Sequence, residues 1–175
     1  MESYEFSLRF ALTSADADFA DVEDRLFESG CDDALLGIGH PGRISLDFIR
    51  EAPDAKTAML GSISDVLRAI PDATLIEATP DLVGITDVAK LVGTSRQNLR
   101  QLILACRTAT PAPMHEGNPS IWHLADFLAW LREDKGYSVS QNLLEIARVG
   151  MQVNLAVEDR RADSREQDEI RALFA

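Results

Sequence analysis

The 175-residue chain has only two cysteines, Cys31 and Cys106, far apart and in no repeated pattern. That excludes a disulfide framework and points to a reducing compartment, with both thiols read as small buried hydrophobes. There is no run of about eighteen apolar residues, which excludes a membrane-spanning helix. The opening MESYEFSLRF lacks a basic stretch followed by an apolar one. No secretory signal is therefore expected, and the cytoplasm is the expected location. The three histidines, His40, His115 and His123, lack metal-ligand spacing. No Ser/His/Asp or Cys/His arrangement stands out either. The sequence reads as a non-enzyme with no cofactor. Basic residues are scarce: 17 Lys and Arg against 29 Asp and Glu, a net charge of −12. What is present is an ordinary apolar fraction, enough for a folded chain of one large or two small domains.

The acidity is unevenly spread. Residues 1–82 hold 17 acidic and 6 basic side chains, and residues 133–175 hold 9 and 6. Between them, residues 83–132 hold 3 acidic and 5 basic, a net +2. Charge segregation of this kind suggests separate tasks. It divides the chain into an acidic unit (1–82), a basic unit (83–132) and a C-terminal helix with a charged tail (133–175).

In the acidic unit, Tyr4 to Phe10 alternates apolar and polar, as a half-buried strand does. Phe19, Val22 and Leu26 then fall at helical spacing before Gly30. Residues 34–38 and 44–49 read as strands around a Gly/Pro loop. Pro53-Asp54 opens a second helix, with Met59, Ile63, Val66, Leu67 and Ile70 expected on its inner face. Residues 74–78 read as a last strand. The order is β-α-β-β-α-β, the ferredoxin-like arrangement of an α+β fold. Gly37-Ile38-Gly39-His40-Pro41-Gly42 matches the letters of a dinucleotide-binding G-x-G-x-x-G. That chemistry needs a helix after the third glycine, and here a strand follows, so a hairpin turn is expected. Asp16, Asp18, Asp21 and Asp24 lack calcium-loop spacing and are read as a cap and a solvated helix face.

Asp87 to Ile103 reads DVAKLVGTSRQNLRQLI. A helix-turn-helix needs two short helices locked by small and apolar residues. Thr86 is expected to cap the first, with Val88, Leu91 and Val92 facing the core and Ala89 allowing close approach. Gly93 supplies the turn. Ser95 is expected to cap the second helix (95–105), which Leu99, Leu102 and Ile103 anchor. Arg96, Gln97, Asn98, Arg100 and Gln101 then face outward. Their donors and acceptors match base edges in a major groove. No acidic residue falls between Thr94 and Thr110. Residues 110–115 and 120–122 read as two short extended pieces around a turn, a small wing. A helix from His123 to Leu131 follows, with Trp122 and Trp130 as core pieces.

With ITDVAKLVGTSRQNLR, then PAP, a short wing and WHLADFLAWL, residues 84–132 resemble the winged helix-turn-helix domain of MerR-family and AlpA/excisionase regulators. The resemblance covers under a third of the chain. It implies a recognition helix in the major groove and a wing near the phosphate backbone. Carried over, the DNA-facing set is Lys90, Thr94, Ser95, Arg96, Gln97, Asn98, Arg100, Arg107 and His115, with Lys90 and Arg107 on phosphates. The wing here offers His115 and Glu116 where a Lys or Arg would serve, and the unit follows another domain rather than leading the chain.

The C-terminal segment opens a helix at Ser138-Val139-Ser140. It is apolar over most of its surface, apart from a stripe of Gln141, Glu145, Arg148 and Gln152. Such a helix is buried on more than one side. It either packs on its own two domains or pairs subunits, and pairing suits a small module reading two half-sites. A solvated or frayed tail follows, tethered by Ile170, Leu173 and Phe174. The whole reads as a dimeric, sequence-specific transcriptional regulator whose partner is double-stranded DNA. The alternative is an antitoxin-like or phage-type adaptor whose acidic domain holds a basic partner.

Overall fold

The computed structural model describes residues 1–14, 18–106 and 109–174. Asp16 of the aspartate cluster and Arg107, expected on phosphate, lie outside the described residues. Among those described, the chain is a mixed α+β protein with two small antiparallel sheets and seven helices. No helix among them is long and apolar enough to cross a membrane.

Strand β1 (Glu2–Ala11) turns its alternation into two faces: Tyr4, Phe6, Leu8 and Phe10 are buried, and Glu5 and Arg9 are exposed. Strand β3 (Arg43–Ala52) lies antiparallel beside it, with Phe48, Leu46 and Ile44 opposite Phe6, Leu8 and Phe10. The Phe6 and Phe48 rings stack with centroids 5.2 Å apart. Strands β2 (Ala34–Ile38) and β4 (Thr74–Thr79) complete the sheet in the order β2-β3-β1-β4, with every neighbouring pair antiparallel. The glycine-rich segment is the β2–β3 hairpin turn, with Gly42 at φ 73° and no helix behind it.

Helix α1 (Phe19–Glu28) buries Val22 and Leu26. Asp18 caps it by accepting the Ala20 N–H at 3.0 Å, and Asp21 pairs with Arg25. Helix α2 (Ala55–Ala69) buries Ala58, Met59 and Val66 against the sheet, whereas Leu67, expected inside, is exposed. Asp54 accepts the Thr57 N–H at 2.7 Å, and this holds the Asp54 carboxyl below its usual range. Arg50 ties the pieces together. It reaches Asp33 at 2.7 Å, Asp65 at 2.7 Å and the Gly30 carbonyl at 2.6 Å. Those hydrogen bonds hold its proton still more tightly than usual.

The second unit contains β5 (Leu82–Val83), α3 (Ile85–Leu91), α4 (Arg96–Cys106), β6 (Trp122–His123) and α5 (Leu124–Lys135). β5 pairs antiparallel with β6, so the chain entering the unit is stitched to the chain that leaves the loop before β6. Its core holds Val88, Leu99, Leu124, Phe127, Leu128 and Leu131. Both Trp122 and Trp130 are buried there, edge-on to Phe127 at 5.5 Å. Gly136, at φ 68°, ends α5.

Helix α6 (Gln141–Asp159), capped by Ser140, lies across both units. It sends Leu144 and Ala147 into the second core and Ile146 and Val153 into the first. Most of its apolar surface is thus used within the chain, while Leu155 stays exposed. Gly150 makes the approach possible, since a Cβ there would sit 3.1 Å from the Pro80 carbonyl oxygen. Asn154 replaces part of a sheet ladder: its amide accepts the Ala78 N–H at 2.8 Å and donates to the Ala78 carbonyl at 2.7 Å. Glu145 of the polar stripe accepts from the Tyr4 hydroxyl at 3.2 Å. Burial, and then Glu145, push the Tyr4 pKa up. Helix α7 (Ser164–Arg171) follows. The expected apolar tether is absent, since Ile170, Leu173 and Phe174 are all exposed, while Arg171 pairs with Asp159.

Candidate nucleic-acid interface

Helix α3 starts two residues earlier than its sequence suggests. Gly84 is the N-cap, and Asp87 accepts the Gly84 N–H at 3.2 Å, whereas Thr86 lies inside the first turn. The reason is the β5 strand, which fixes the chain up to Val83 and forces the helix to begin at once. Val88 and Ala89 are buried, but Leu91 is exposed, bordering the four-stranded sheet beside Ile49 and Leu143. Gly93 takes φ 67° in the turn, and the Thr94 N–H donates back to the Ala89 carbonyl at 2.9 Å. Ser95 then caps α4, accepting the Asn98 N–H at 3.1 Å. A fully buried Leu99 pins α4 to the core, with Leu102 and Ile103 half-buried beside it.

This anchoring decides what faces out. Arg96, Gln97, Asn98, Arg100 and Gln101 are all exposed, as is Lys90 on α3. Asn98 is partly engaged, donating from its side chain to the Thr94 hydroxyl at 3.4 Å. Arg96 and Arg100, one turn apart, border an open cleft of about 710 Å³ between α4 and the loop 110–120. In that loop, where a wing is expected, His115 and Ile121 exchange both backbone hydrogen bonds, at 3.3 and 3.0 Å. The Trp122 indole N–H donates to the Pro111 carbonyl at 3.2 Å and fixes the base of the wing to its stem. Glu116 and Asn118 line the far wall of the cleft, while His115 is exposed outside it.

The two units differ in how many cations they pair, with Arg43 and Lys56 of the acidic unit unpaired among the described residues and Arg132 of the second paired with Glu133. In the acidic unit, Arg9, Arg25, Arg50 and Arg68 each pair with a carboxylate. On the second unit, Lys90, Arg96 and Arg100 have no ion-pair partner among the described residues. Cations left unpaired in a molecule of charge −12 are available to an external anion.

Two features escaped the sequence reading. Leu104 is exposed at the floor of the cleft beside Ile103, where continued helical periodicity gives no warning. The other is a buried junction. Asp81, only 1% exposed, accepts from His123 Nδ1 at 2.7 Å and from Asn154 Nδ2 at 2.8 Å. Its carbonyl accepts the Leu124 N–H at 2.7 Å. One residue thus ties the end of the acidic unit to the start of α5 and the middle of α6. His123 is a satisfied structural histidine. The chain matches no protein-family model, no curated protein and no solved structure.

Proposed function

We propose that this chain is a sequence-specific DNA-binding transcriptional regulator that acts as a homodimer. Residues 83–132 form its winged helix-turn-helix, behind a ferredoxin-like domain. The observation that bears most weight is α4: capped by Ser95 and pinned by Leu99, it presents Arg96, Gln97, Arg100 and Gln101 outward. Arg matches guanine and Gln matches adenine through paired donors and acceptors in the major groove. The cleft beside Arg96 and Arg100 runs along the wing, where a backbone strand would pass. Lys90 and Thr94 stand near phosphate, and His115 offers the wing's one basic group. The strand order β2-β3-β1-β4, antiparallel throughout and joined by two helical crossovers, supports the ferredoxin-like reading of the first unit.

The acidic unit has a part in this scheme. Its charge repels DNA held without base contacts, so retention depends on α4. A dimer would place two α4 helices about one helical turn of DNA apart, roughly 34 Å. The test is selection from sheared genomic DNA with the purified chain, followed by sequencing of the retained fragments. Enrichment of one inverted repeat is expected. No enrichment by a folded, intact chain would overturn the proposal.

A further inference from the structure

The face of the four-stranded sheet turned away from α1 and α2 is not a plain solvated face. On it, Leu35 is 73% exposed and Ile49 64% exposed. The register sets them in two adjacent rows: Leu35, Asp47, Ser7 and Thr79 across all four strands, then Ile49 beside Glu5. Leu91 of α3, 44% exposed, and half-buried Leu143 of α6 wall the same surface, leaving an open trough of about 460 Å³. Exposed apolar side chains gathered with a charged rim mark an interaction surface rather than scattered exposure.

The charges decide what fits. Glu5 and Asp47 border the trough and Glu51 extends the face. None of the three has a Lys or Arg within ion-pairing distance among the described residues. On the same face, Arg9 is neutralised by Glu77, and Arg43 lies at the far end of β3, opposite Ala11. A polyanion is repelled here. A second copy laid face to face would set Glu5, Asp47 and Glu51 against their own images, at a cost in repulsion. A wholly apolar partner would strip water from the carboxylates and leave them unpaired. A Lys or Arg side chain meets both needs, with its stem on Leu35 and Ile49 and its head on Asp47 or Glu5.

We infer that a cationic amphipathic segment of a partner protein docks in this trough, across the outer face of the sheet and against Leu91 of α3. This does not depend on DNA binding by α4 and is tested without DNA. The intact chain is used to select from a random-peptide display library, and the recovered peptides are synthesised and titrated by fluorescence anisotropy. The expected peptides combine Lys or Arg with apolar residues and weaken as salt rises. Glu5→Lys/Asp47→Lys should lower their affinity at least about tenfold, as loss of two facing charges does. Leu35→Ser/Ile49→Ser should lower it too, whereas Leu60→Ser on α2 should leave it unchanged. Circular dichroism melting confirms that each variant is folded, and these exposed positions tolerate the change. The inference is overturned if no basic peptides are enriched, or if they bind both double variants as tightly as the parent. It is also overturned if sedimentation shows that Asp47→Lys abolishes a self-association made through this face.

Discussion

Replacing Asp81 by alanine should separate the two units. The Asp81 side chain is buried and accepts two hydrogen bonds, from His123 at 2.7 Å and Asn154 at 2.8 Å. Asp81→Ala removes both acceptors and orphans an imidazole N–H and an amide N–H away from water. Each buried donor left unsatisfied costs about 1–3 kcal/mol, so the pair gives roughly 2–6 kcal/mol. Asn154 keeps its bonds to Ala78, which holds the upper end of that range in check. For a domain of ordinary stability this is a large fraction of the total. Urea unfolding followed by two probes is the assay. Tryptophan emission reports the second core, where Trp122 and Trp130 both lie, and far-ultraviolet circular dichroism reports the whole chain. The parent should show coincident transitions, and Asp81→Ala should bring the tryptophan transition to lower urea, ahead of the other. Pairing it with His123→Leu should recover part of the loss, because the orphaned ring N–H is then gone. A destabilisation under about 1 kcal/mol with coincident transitions would refute the view of Asp81 as the fastening between units.

Three further outcomes follow from local geometry. Gly150→Val should destabilise by about 1–3 kcal/mol in thermal or urea unfolding, since even a Cβ meets the Pro80 carbonyl at 3.1 Å and a backbone oxygen gives way less readily than a side chain. Ser95→Ala should cost about 1 kcal/mol by loss of the α4 cap, and should weaken DNA binding by loosening the helix start. Burial, and then the nearby Asp65 carboxylate, push the Cys31 thiol up to about 11. At pH 8 its thiolate fraction is on the order of a hundredfold below that of a free cysteine. Alkylation of the native chain should therefore leave Cys31 intact at pH 8, with mass spectrometry of the digested protein as the readout. Modification of Cys31 as fast as in the urea-unfolded chain would contradict its burial.

The elements set by local pattern were legible in the sequence. Alternation in β1 and β3 gives their inner faces directly, because a strand's two faces follow from period two alone, whereas β4 buries Leu75 and Ala78, three residues apart, across a break in its register with β1. The helical spacing of Val22 and Leu26, the turn at Gly93 and the Ser95 cap were likewise local and readable. Features set by tertiary approach were not. Leu67 stays exposed on α2, Leu91 borders the open trough beside the sheet instead of the second core, and Leu104, five residues after Leu99, lies off the inward stripe in the cleft. Thr86 is a good capping residue displaced by the β5–β6 pairing, which two-residue strands do not announce. Asp81 precedes two apolar residues and looks like a loop aspartate until β4, α5 and α6 converge on it. Gly150 carries no turn signal, since its role is a close approach between a helix and a distant carbonyl. On the candidate interface, the sequence named the exposed face of α4. It missed the cleft toward the wing, which depends on how Trp122 fastens to Pro111.

The central claim is that α4 reads base edges, and its most direct measurement is the affinity of Arg96→Ala/Arg100→Ala for the fragment enriched from genomic DNA, against a scrambled fragment at the same salt. If both arginines contact bases in pairs of hydrogen bonds, each loss costs roughly 1–3 kcal/mol. The double variant should then bind the cognate fragment at least about tenfold more weakly, and its preference over the scrambled fragment should shrink with it. Equal affinity of the double variant and the parent, with both folded, would contradict the account.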